Sequence, residues 1–247
     1  MADRLAGKTA LVTGGSRGIG AAIARRLAAD GADVTITYAG NATAAAEVVA
    51  AITAAGRRGR AIQADAADGG AVRAAVVEAA EALGGLDILI HNAGVADMQP
   101  IDQVTDDASF TRQFGVNVAG VFNGTAAAVP HLRDGGRIVI IGSVSSHSSF
   151  GGDAVYGATK AAVAGLARGW ARDLAPRNIL VNVIQPGPVD TDMNPADGAF
   201  SDLVLPRVAL ARYGRVDEIA GVAAFLASDD ASYITGATLD VDGGYSI

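Results

Sequence analysis

The chain has 247 residues, and its 19 Lys and Arg against 26 Asp and Glu give a formal net charge of −7. A net negative charge without a basic block predicts that it binds neither nucleic acid nor an anionic membrane surface. The absence of cysteine excludes disulfides and thiolate metal sites, and the three histidines are too far apart in sequence to suggest a metal motif. We therefore expect no metal site.

Short runs rich in Val, Ile and Leu alternate along the chain with longer Ala-rich stretches. The runs predict strands at 8–13, 33–38, 60–64, 86–91, 136–142, 179–184 and 237–241. The stretches between them predict helices at 17–30, 42–55, 69–83, 103–129, 154–175 and 216–228. Almost wholly apolar strands joined by helices indicate a parallel sheet covered on both faces. The predicted fold class is α/β, a doubly wound, Rossmann-like sheet.

The alternation of strands and helices runs almost to the C-terminus, without a linker or an internal repeat. It therefore predicts a single dinucleotide-binding domain over residues 1–247. Polar residues or prolines interrupt every apolar stretch before it reaches membrane-spanning length, and no apolar signal segment precedes the first strand. We therefore expect a cytoplasmic protein without a membrane partner.

One long irregular segment, about 190–212, follows the sixth strand. Long irregular segments at the carboxyl end of a strand are usually functional lids or disordered. This one contains the large apolar residues Met193, Phe200, Leu203 and Leu205. We predict that it folds over a hydrophobic substrate as a lid.

The segment TGGSRGIG, residues 13–20, follows the first strand and opens the first helix. Glycines in this context allow a tight turn and let a cofactor pyrophosphate approach the free N–H groups at the helix N-terminus. A plain strand-to-helix turn is the alternative, and the surrounding pattern disfavours it. The dinucleotide-binding residues predicted in this loop are Gly14, Ser16, Arg17, Gly18, Ile19 and Gly20.

Tyr156 and Lys160 lie four residues apart on a predicted helix, so they share one face and the ammonium can approach the phenol. Of the 19 basic side chains only Lys8 and Lys160 are lysines, so the other 17 are arginines. A phenol with a pKa of about 10 is a poor acid/base group at neutral pH, and a nearby cation lowers that pKa toward the working range. We predict this pairing, against the alternative of an ordinary pair on a helix surface.

The loop spacing G-x-x-x-G-x-G, the segment HNAG at 91–94 and the segment YGATK at 156–160 together resemble the short-chain dehydrogenase/reductase family. The resemblance continues through NVIQPGPVDT at 182–191 and ITGATLDVDGG at 234–244, so it covers the whole chain. It implies an oxidoreductase that transfers hydride between a nicotinamide cofactor and a small-molecule carbonyl or alcohol, with tyrosine as the acid/base.

The same resemblance implies roles for four catalytic residues. Ser143 resembles the family serine that hydrogen-bonds the substrate carbonyl, and Asn117 resembles the asparagine that holds a water in a proton relay to the lysine. Tyr156 and Lys160 complete the set, and the lysine also binds the cofactor ribose. A serine-rich loop and a buried structural amide are the plainer interpretations of Ser143 and Asn117.

Further cofactor contacts are implied at the ends of later strands. Asp65 matches a position near the adenine, although it could equally cap a helix. The family usually has Asn where this chain has His91, which we interpret as a strand-end residue. The remaining contacts implied by the resemblance are Asn92, Ala93, Gly94, Tyr156, Lys160, Pro186, Gly187, Val189 and Thr191.

The end of the second strand distinguishes the two nicotinamide cofactors. Family enzymes that use NAD carry Asp there, whereas this chain has Tyr38. Asp33 lies at the other end of the strand, and Arg17 in the glycine loop could pair with a 2′-phosphate. The predicted cofactor is therefore NADP(H).

Two other functions stay open at this point. A β-ketoacyl-carrier-protein reductase would need a basic patch for the acyl carrier, to which Arg168 and Arg172 could contribute, although a solvated helix face explains them equally well. A non-catalytic NADP-binding regulator would show a damaged Ser/Tyr/Lys set, and this set is complete. Epimerases and dehydratases of the extended relatives carry G-x-x-G-x-x-G and a larger C-terminal domain, neither of which occurs here.

The resemblance also implies a homotetramer. The helices around 103–129 and 154–175 would pack across one interface, and the C-terminal DGGYSI would lie near another. Ala- and Gly-rich faces on these helices allow close approach.

Overall fold

The computed structural model describes residues 4–198 and 200–247. Their strands are β1 Thr9–Val12, β2 Asp33–Tyr38, β3 Gly59–Gln63, β4 Leu86–His91, β5 Leu132–Ile141, β6 Leu180–Pro186 and β7 Thr238–Val241. The strands form one sheet in the order β3-β2-β1-β4-β5-β6-β7, and every neighbouring pair is parallel. The predicted doubly wound α/β fold is confirmed. The predicted domain 1–247 includes residues 1–3 and 199, which lie outside the described residues.

The helices mostly follow the predicted ranges. They are α1 Gly18–Ala29, α2 Ala42–Ala54, α3 Gly69–Leu83, α4 Ala108–Phe114, α5 Gly120–Ala128, α6 Ala154–Leu174, α7 Ser201–Val204 and α8 Val216–Ala227. The predicted helix 103–129 starts later than expected. Helical backbone runs from Ala108 to Ala128, and a π-helical turn at Gly115–Ala119 lies between α4 and α5.

Each face of the sheet packs against its own layer of helices. Successive residues of a strand point to opposite faces, so Val12 packs with α1, α2 and α8, while Leu11 packs with α3, α5 and α6. In β4, Ile88 and Ile90 face the first layer and Leu89 faces the second. Burial on both faces explains why the strands are apolar throughout rather than alternating.

The strand order reverses between β1 and β4, and this geometry positions the candidate site. Ligands of open parallel sheets bind in the crevice at the carboxyl ends of the strands next to such a reversal. The glycine loop follows β1, Asn92 follows β4, Ser143 follows β5 and Gly187 follows β6. Residues far apart in the sequence therefore meet at one edge of the sheet.

Candidate active site

A cavity of about 1050 Å³ opens at the carboxyl ends of the strands. Two of the residues predicted for the site, Gly20 and Asn117, are not on its wall. Gly20 lies against Asn92, and Asn117 lies beside Gly94. The predicted residues that line the cavity are Gly14, Ser16, Arg17, Gly18, Ile19, Tyr38, Asp65, Asn92, Ala93, Gly94, Ser143, Tyr156, Lys160, Pro186, Gly187, Val189 and Thr191.

The glycine loop packs closely on the segment after β4. Gly14 has a φ of +63°, and a Cβ on it would lie 2.8 Å from the Cα of Ala93. A Cβ on Gly20 would lie 2.3 Å from the Asn92 Nδ2. That Nδ2 donates hydrogen bonds to the carbonyl oxygens of Thr13 and Gly14, at 3.1 and 2.9 Å. The Gly–Asn packing therefore fixes the loop at the mouth of the crevice.

The N-terminus of α1 fits a phosphate group. Among the described residues no side chain caps the helix, and its first turn contains no acidic residue. Uncapped N–H groups and the positive end of the helix dipole favour an anion. The residues present at this end of the cavity therefore fit the pyrophosphate of a dinucleotide.

The carboxyl ends of β2 and β3 offer groups for a ribose and an adenine. Tyr38 ends β2 on the cavity wall, while Asp33 at the opposite end of that strand binds Arg58. The Asp65 carboxylate accepts from the Ala67 N–H at 3.0 Å. The helix-cap interpretation of Asp65 was wrong, because Asp68 caps α3 through the N–H groups at its start.

Arg17 is exposed at the rim of the cavity. Its guanidinium lies 3.6 Å from the Asp192 carboxylate, and both side chains are about two-thirds exposed or more, at 67% and 72%. Exposed ion pairs of this kind contribute little to stability. Arg17 can therefore leave Asp192 for a phosphate at low cost.

Tyr156 and Lys160 lie on one face of α6, as their spacing predicts. The Lys160 Nζ lies 5.6 Å from the centroid of the Tyr156 ring and donates a hydrogen bond of 2.8 Å to the Ile141 carbonyl oxygen. Burial lowers the pKa of Lys160 from 10.5 to about 8. The ammonium is therefore still largely protonated at neutral pH, although less firmly than on the surface.

The expectation that the cation lowers the phenol pKa was wrong for this structure. Burial raises the pKa of Tyr156, the hydrogen bond with Ser143 opposes the rise, and the charge of Asp153 adds to it. Desolvation of the phenolate is thus the largest effect on this pKa. Tyr156 is held protonated at neutral pH, which suits a proton donor.

Ser143 follows β5 in an extended conformation, with its hydroxyl on the cavity wall. The hydroxyl oxygen accepts from the Ser145 N–H at 3.2 Å, which turns the serine-rich segment into a short 3₁₀ turn. Its neighbour Ser146 bonds the amide oxygen of Gln185, and His147 lies 3.3 Å from Asp240. Within this cluster Ser143 is the serine that interacts with Tyr156.

Asn117 lies in the π-helical turn between α4 and α5, and π-turns often occur at functional sites. Its Oδ1 accepts from the Val95 N–H at 2.9 Å, and its Nδ2 donates to the Val95 carbonyl oxygen at 2.8 Å. The same Nδ2 donates to the Thr159 hydroxyl at 3.0 Å. A Cβ on Gly94 would lie 3.4 Å from the Asn117 Oδ1 and 3.5 Å from the Lys160 Nζ. Asn117 therefore ties the loop after β4 to α6, beside the lysine.

The irregular segment near the cavity contains short helical turns at Ser201–Val204 and Leu205–Arg207. Met193 and Phe200 line the cavity, and the Phe200 ring packs on Phe150 at 5.1 Å. Leu203 is 61% exposed and is not on the cavity wall, and its contact with a substrate stays a prediction. Leu205 packs against a small apolar cluster.

Several residues around the catalytic end of the cavity were not predicted from the sequence. Met98, Phe150 and Tyr245 line it, and the buried Asp153 acts on Tyr156 from the start of α6. They lie on loops or at a helix end, where no periodic pattern marks a side chain as inward-facing. Only the position of Tyr245 within the C-terminal GGY segment gave a signal.

The histidines do not join the cavity. His91 ends β4 as predicted, and its Nε2 lies 2.9 Å from the Thr125 hydroxyl. Within residues 4–198 and 200–247, no cluster of three or more His, Cys, Asp or Glu side chains is suited to a metal ion. In the same ranges no helix combines the length and apolar character that crossing a membrane requires.

Comparison with known proteins gives matches over nearly the whole chain. A protein-family model described as enoyl-(acyl carrier protein) reductase matches residues 14–246. A 3-oxoacyl-[acyl-carrier-protein] reductase of Staphylococcus aureus is 42% identical, covering 96% of this chain and 97% of its own. The cyclic-di-GMP-binding biofilm dispersal mediator protein of Escherichia coli is 43% identical, covering 97% of each chain. A short chain dehydrogenase from Burkholderia cenocepacia, crystallised with NADP, is 52% identical with a TM-score of 0.96, covering 99% of this chain and 100% of its own.

Proposed function

The chain belongs to the short-chain dehydrogenase/reductase family, and on that premise we propose that it is an NADP(H)-dependent oxidoreductase interconverting a ketone or aldehyde and an alcohol. One observation carries the proposal. The hydroxyls of Ser143 and Tyr156 and the ammonium of Lys160 share a cavity with the uncapped N-terminus of α1. A dinucleotide and a small carbonyl compound can therefore be held side by side.

The residues that would hold the cofactor are those that the family resemblance implies. The start of α1 takes the pyrophosphate, Lys160 donates to the ribose, and Val189 and Thr191 contact the nicotinamide amide. When bound, the nicotinamide supplies hydride for reduction and accepts it in the reverse direction. The NADP complex of the Burkholderia relative supports the phosphorylated form.

The phosphorylated cofactor is also favoured by the end of β2. A carboxylate there would grip the 2′-hydroxyl of NAD and repel the 2′-phosphate of NADP. Tyr38 does neither, and Arg17 lies on the same cavity wall, paired with an exposed aspartate. Arg17 therefore attracts the phosphate.

Proton transfer is assigned to Tyr156. Ser143 and Tyr156 orient the carbonyl oxygen, and the Tyr156 hydroxyl donates its proton to that oxygen during reduction. Lys160, protonated at neutral pH, stabilises the phenolate that remains. Asn117 holds the loop that borders the lysine, and its proposed part in returning a proton to Lys160 is carried over from the family resemblance.

A β-ketoacyl-carrier-protein reductase is the second candidate within the same chemistry. The Staphylococcus relative bears that name. Arg168 and Arg172 are exposed on α6, and Arg112 lines the cavity. These cations would receive an acidic carrier protein.

A non-catalytic regulator is the candidate from outside the enzymes, and the name of the Escherichia relative, a cyclic-di-GMP-binding mediator protein, is the reason to consider it. The complete set of Ser143, Tyr156 and Lys160 at one cavity favours catalysis over this role. NADPH oxidation by the purified chain over ketones, β-ketoacyl thioesters, enoyl thioesters and sugars separates the candidates. Turnover that disappears in Tyr156→Phe supports the reductase. Tight NADPH or cyclic-di-GMP binding with no turnover on any compound would favour the regulator.

We also propose a cytoplasmic homotetramer. Phe110 is 50% exposed and packs on Phe114, while Phe122 is 49% exposed and lies 6.5 Å from the Trp170 ring. Exposed aromatic side chains on α4 and α5, next to the partly buried Trp170 of α6, are typical of a subunit interface. Light scattering at micromolar concentration tests this, and a monomer mass would refute it.

A further inference from the structure

Arg17 and Asp192 form an ion pair at the rim of the cavity. The arginine belongs to the glycine loop after β1, and the aspartate belongs to the irregular segment after β6. Both residues line the cavity, and their side chains are 67% and 72% exposed, so a ligand in the cavity can reach either of them. Arg17 is assigned to the 2′-phosphate of the cofactor, whereas Asp192 has no assigned role.

Backbone contacts hold Asp192 beside the glycine loop. A Cβ on Gly18 would lie 3.6 Å from the Cγ2 of Thr191, so the two segments are in contact next to the ion pair. The N–H groups of Thr191 and Asn194 each donate to the carbonyl oxygen of the other, at 3.3 and 3.0 Å, which closes a tight turn that contains Asp192. The carboxylate therefore stays close to Arg17 even when the two side chains separate.

Few acidic groups can compete with a phosphate in this cavity. Among the described residues that line it, only Asp65 and Asp192 carry a carboxylate. Asp65 lies after β3 and accepts from the Ala67 N–H at 3.0 Å. Asp192 is the carboxylate that pairs with Arg17. Any effect of a wall carboxylate on the charge of Arg17 therefore comes first from Asp192.

The distance between the two groups shows what Asp192 does to Arg17. At 3.6 Å the guanidinium and the carboxylate are in ionic contact but do not form a hydrogen bond, so Asp192 supplies charge without fixing the orientation of the guanidinium. A phosphate forms shorter, bidentate bonds with a guanidinium and would displace the carboxylate. Two anions held close to one cation also repel each other. Asp192 therefore opposes the binding of a phosphate at Arg17.

We propose that Asp192 is a specificity-determining residue that competes with the 2′-phosphate of NADP(H) for Arg17 and so limits the affinity for the phosphorylated cofactor. This inference rests on the proposed function, which makes Arg17 the ligand of that phosphate. NADH has no 2′-phosphate, so its affinity does not depend on the pair. Asp192 thus narrows the difference between the two cofactors. It also speeds the release of the phosphorylated one, because affinity differences between closely related complexes lie mostly in the dissociation rate.

The test measures Kd for NADPH and for NADH by isothermal titration calorimetry at low salt, without a carbonyl substrate. Asp192→Asn should lower Kd for NADPH by about two- to fivefold, the range that an exposed ion pair supplies. Kd for NADH should change by much less. Both cofactors carry the same pyrophosphate, so the ratio of the two constants cancels any effect of Asp192 on that group. At about 0.5 M salt the gain should shrink, because exposed charges are then screened.

Two further variants assign the effect to the ion pair. Asp197→Asn removes an equal charge from an exposed residue of the same segment that is not on the cavity wall, and it should leave the ratio of the two constants unchanged. Arg17→Gln keeps a long polar side chain without its charge and should raise Kd for NADPH. In the Arg17→Gln background, Asp192→Asn should no longer change the ratio, because the group for which Asp192 competes has been removed.

The outcomes separate this inference from the proposed function. An unchanged ratio in Asp192→Asn refutes the competition, and a higher Kd for NADPH refutes it as well, because Asp192 would then hold Arg17 in place for the phosphate. A gain that persists in the Arg17→Gln background, or that Asp197→Asn reproduces, shows that the pair is not its cause. Each of these results leaves the oxidoreductase intact. A wild type that binds neither NADPH nor NADH refutes the proposed function and this inference together.

Discussion

His91 makes the stability of this fold sensitive to acid. The side chain is 2% exposed at the end of β4, and burial lowers its pKa from 6.5 to about 3. Its ring is tightly enclosed, because a Cβ on Gly124 would lie 2.7 Å from the His91 Cε1. The Thr125 hydroxyl, 2.9 Å from Nε2, is its hydrogen-bond partner. The imidazole is therefore held neutral in the native state.

The sign of the effect follows from proton binding. The unfolded chain binds a proton at this residue below pH 6.5, while the native state does so only below about pH 3. Stability from the neutral ring is complete above pH 6.5 and is lost as the pH falls toward 3. Since one pKa unit corresponds to about 1.4 kcal/mol, acidification from about pH 7 to about pH 5 should cost about 2 kcal/mol through His91 alone.

Urea unfolding at these two pH values measures the effect. His91→Asn replaces the ring with an amide that does not titrate, and its loss of unfolding free energy between the two pH values should be about 2 kcal/mol smaller than that of the wild type. Titrating carboxylates contribute equally to both proteins and cancel in the comparison. His131→Asn, on a residue of intermediate exposure, is the control and should behave as the wild type. If His91→Asn loses as much stability as the wild type, the buried neutral imidazole is not the cause.

Three further predictions concern the site. Tyr156→Phe should lower kcat by at least roughly a hundredfold with NADPH binding retained, because a positioned proton donor supplies that factor; stopped-flow turnover checks it, and near wild-type turnover would contradict it. The wild type should favour NADPH over NADH by roughly tenfold in kcat/KM, about 1.4 kcal/mol, and Tyr38→Asp should reverse this mostly through KM; an unchanged ratio would show that Tyr38 does not read the ribose. Proteolysis within 190–212 should slow when cofactor and substrate are added together, as for a closing lid, and equal cleavage rates would exclude closure.

The strands and the cofactor end of the site could be predicted because both follow from regular backbone geometry. Parallel strands leave their carboxyl ends at one edge, so loops after β1, β4 and β6 must meet there. The segments at 13–20, 91–94 and 182–191 carry that information in a few adjacent residues. Parallel strand order alone therefore predicts that these segments surround one cavity, and no side-chain contact has to be known for that prediction.

The substrate end could not be predicted in the same way. Phe150 and Tyr245 both line the cavity although they are far apart in the sequence, and their proximity depends on how two loops pack. Asp153 also looks like an ordinary helix cap in the sequence, and only the structure shows that it caps nothing. The π-turn within the predicted helix 103–129 escaped detection because it inserts one residue without changing the local composition.

Lys160 shows most directly that this site is maintained at a cost to stability. Burial lowers its pKa from 10.5 to about 8, so the unfolded chain binds more protons between these values and the charged lysine destabilises the native state at neutral pH. This pKa shift corresponds to a destabilisation of the native state by about 3 kcal/mol. Replacing the lysine also loses its hydrogen bond to the Ile141 carbonyl, which contributes about 1 kcal/mol in the opposite direction. Lys160→Met should therefore raise the free energy of unfolding at neutral pH by about 2 kcal/mol while abolishing turnover. Lys160→Arg should not give this gain in stability, because the planar guanidinium keeps its charge and needs more hydrogen-bond acceptors than this buried position provides. Urea unfolding measures the gain, and a Lys160→Met protein less stable than the wild type would show that the ammonium supports the fold instead of straining it.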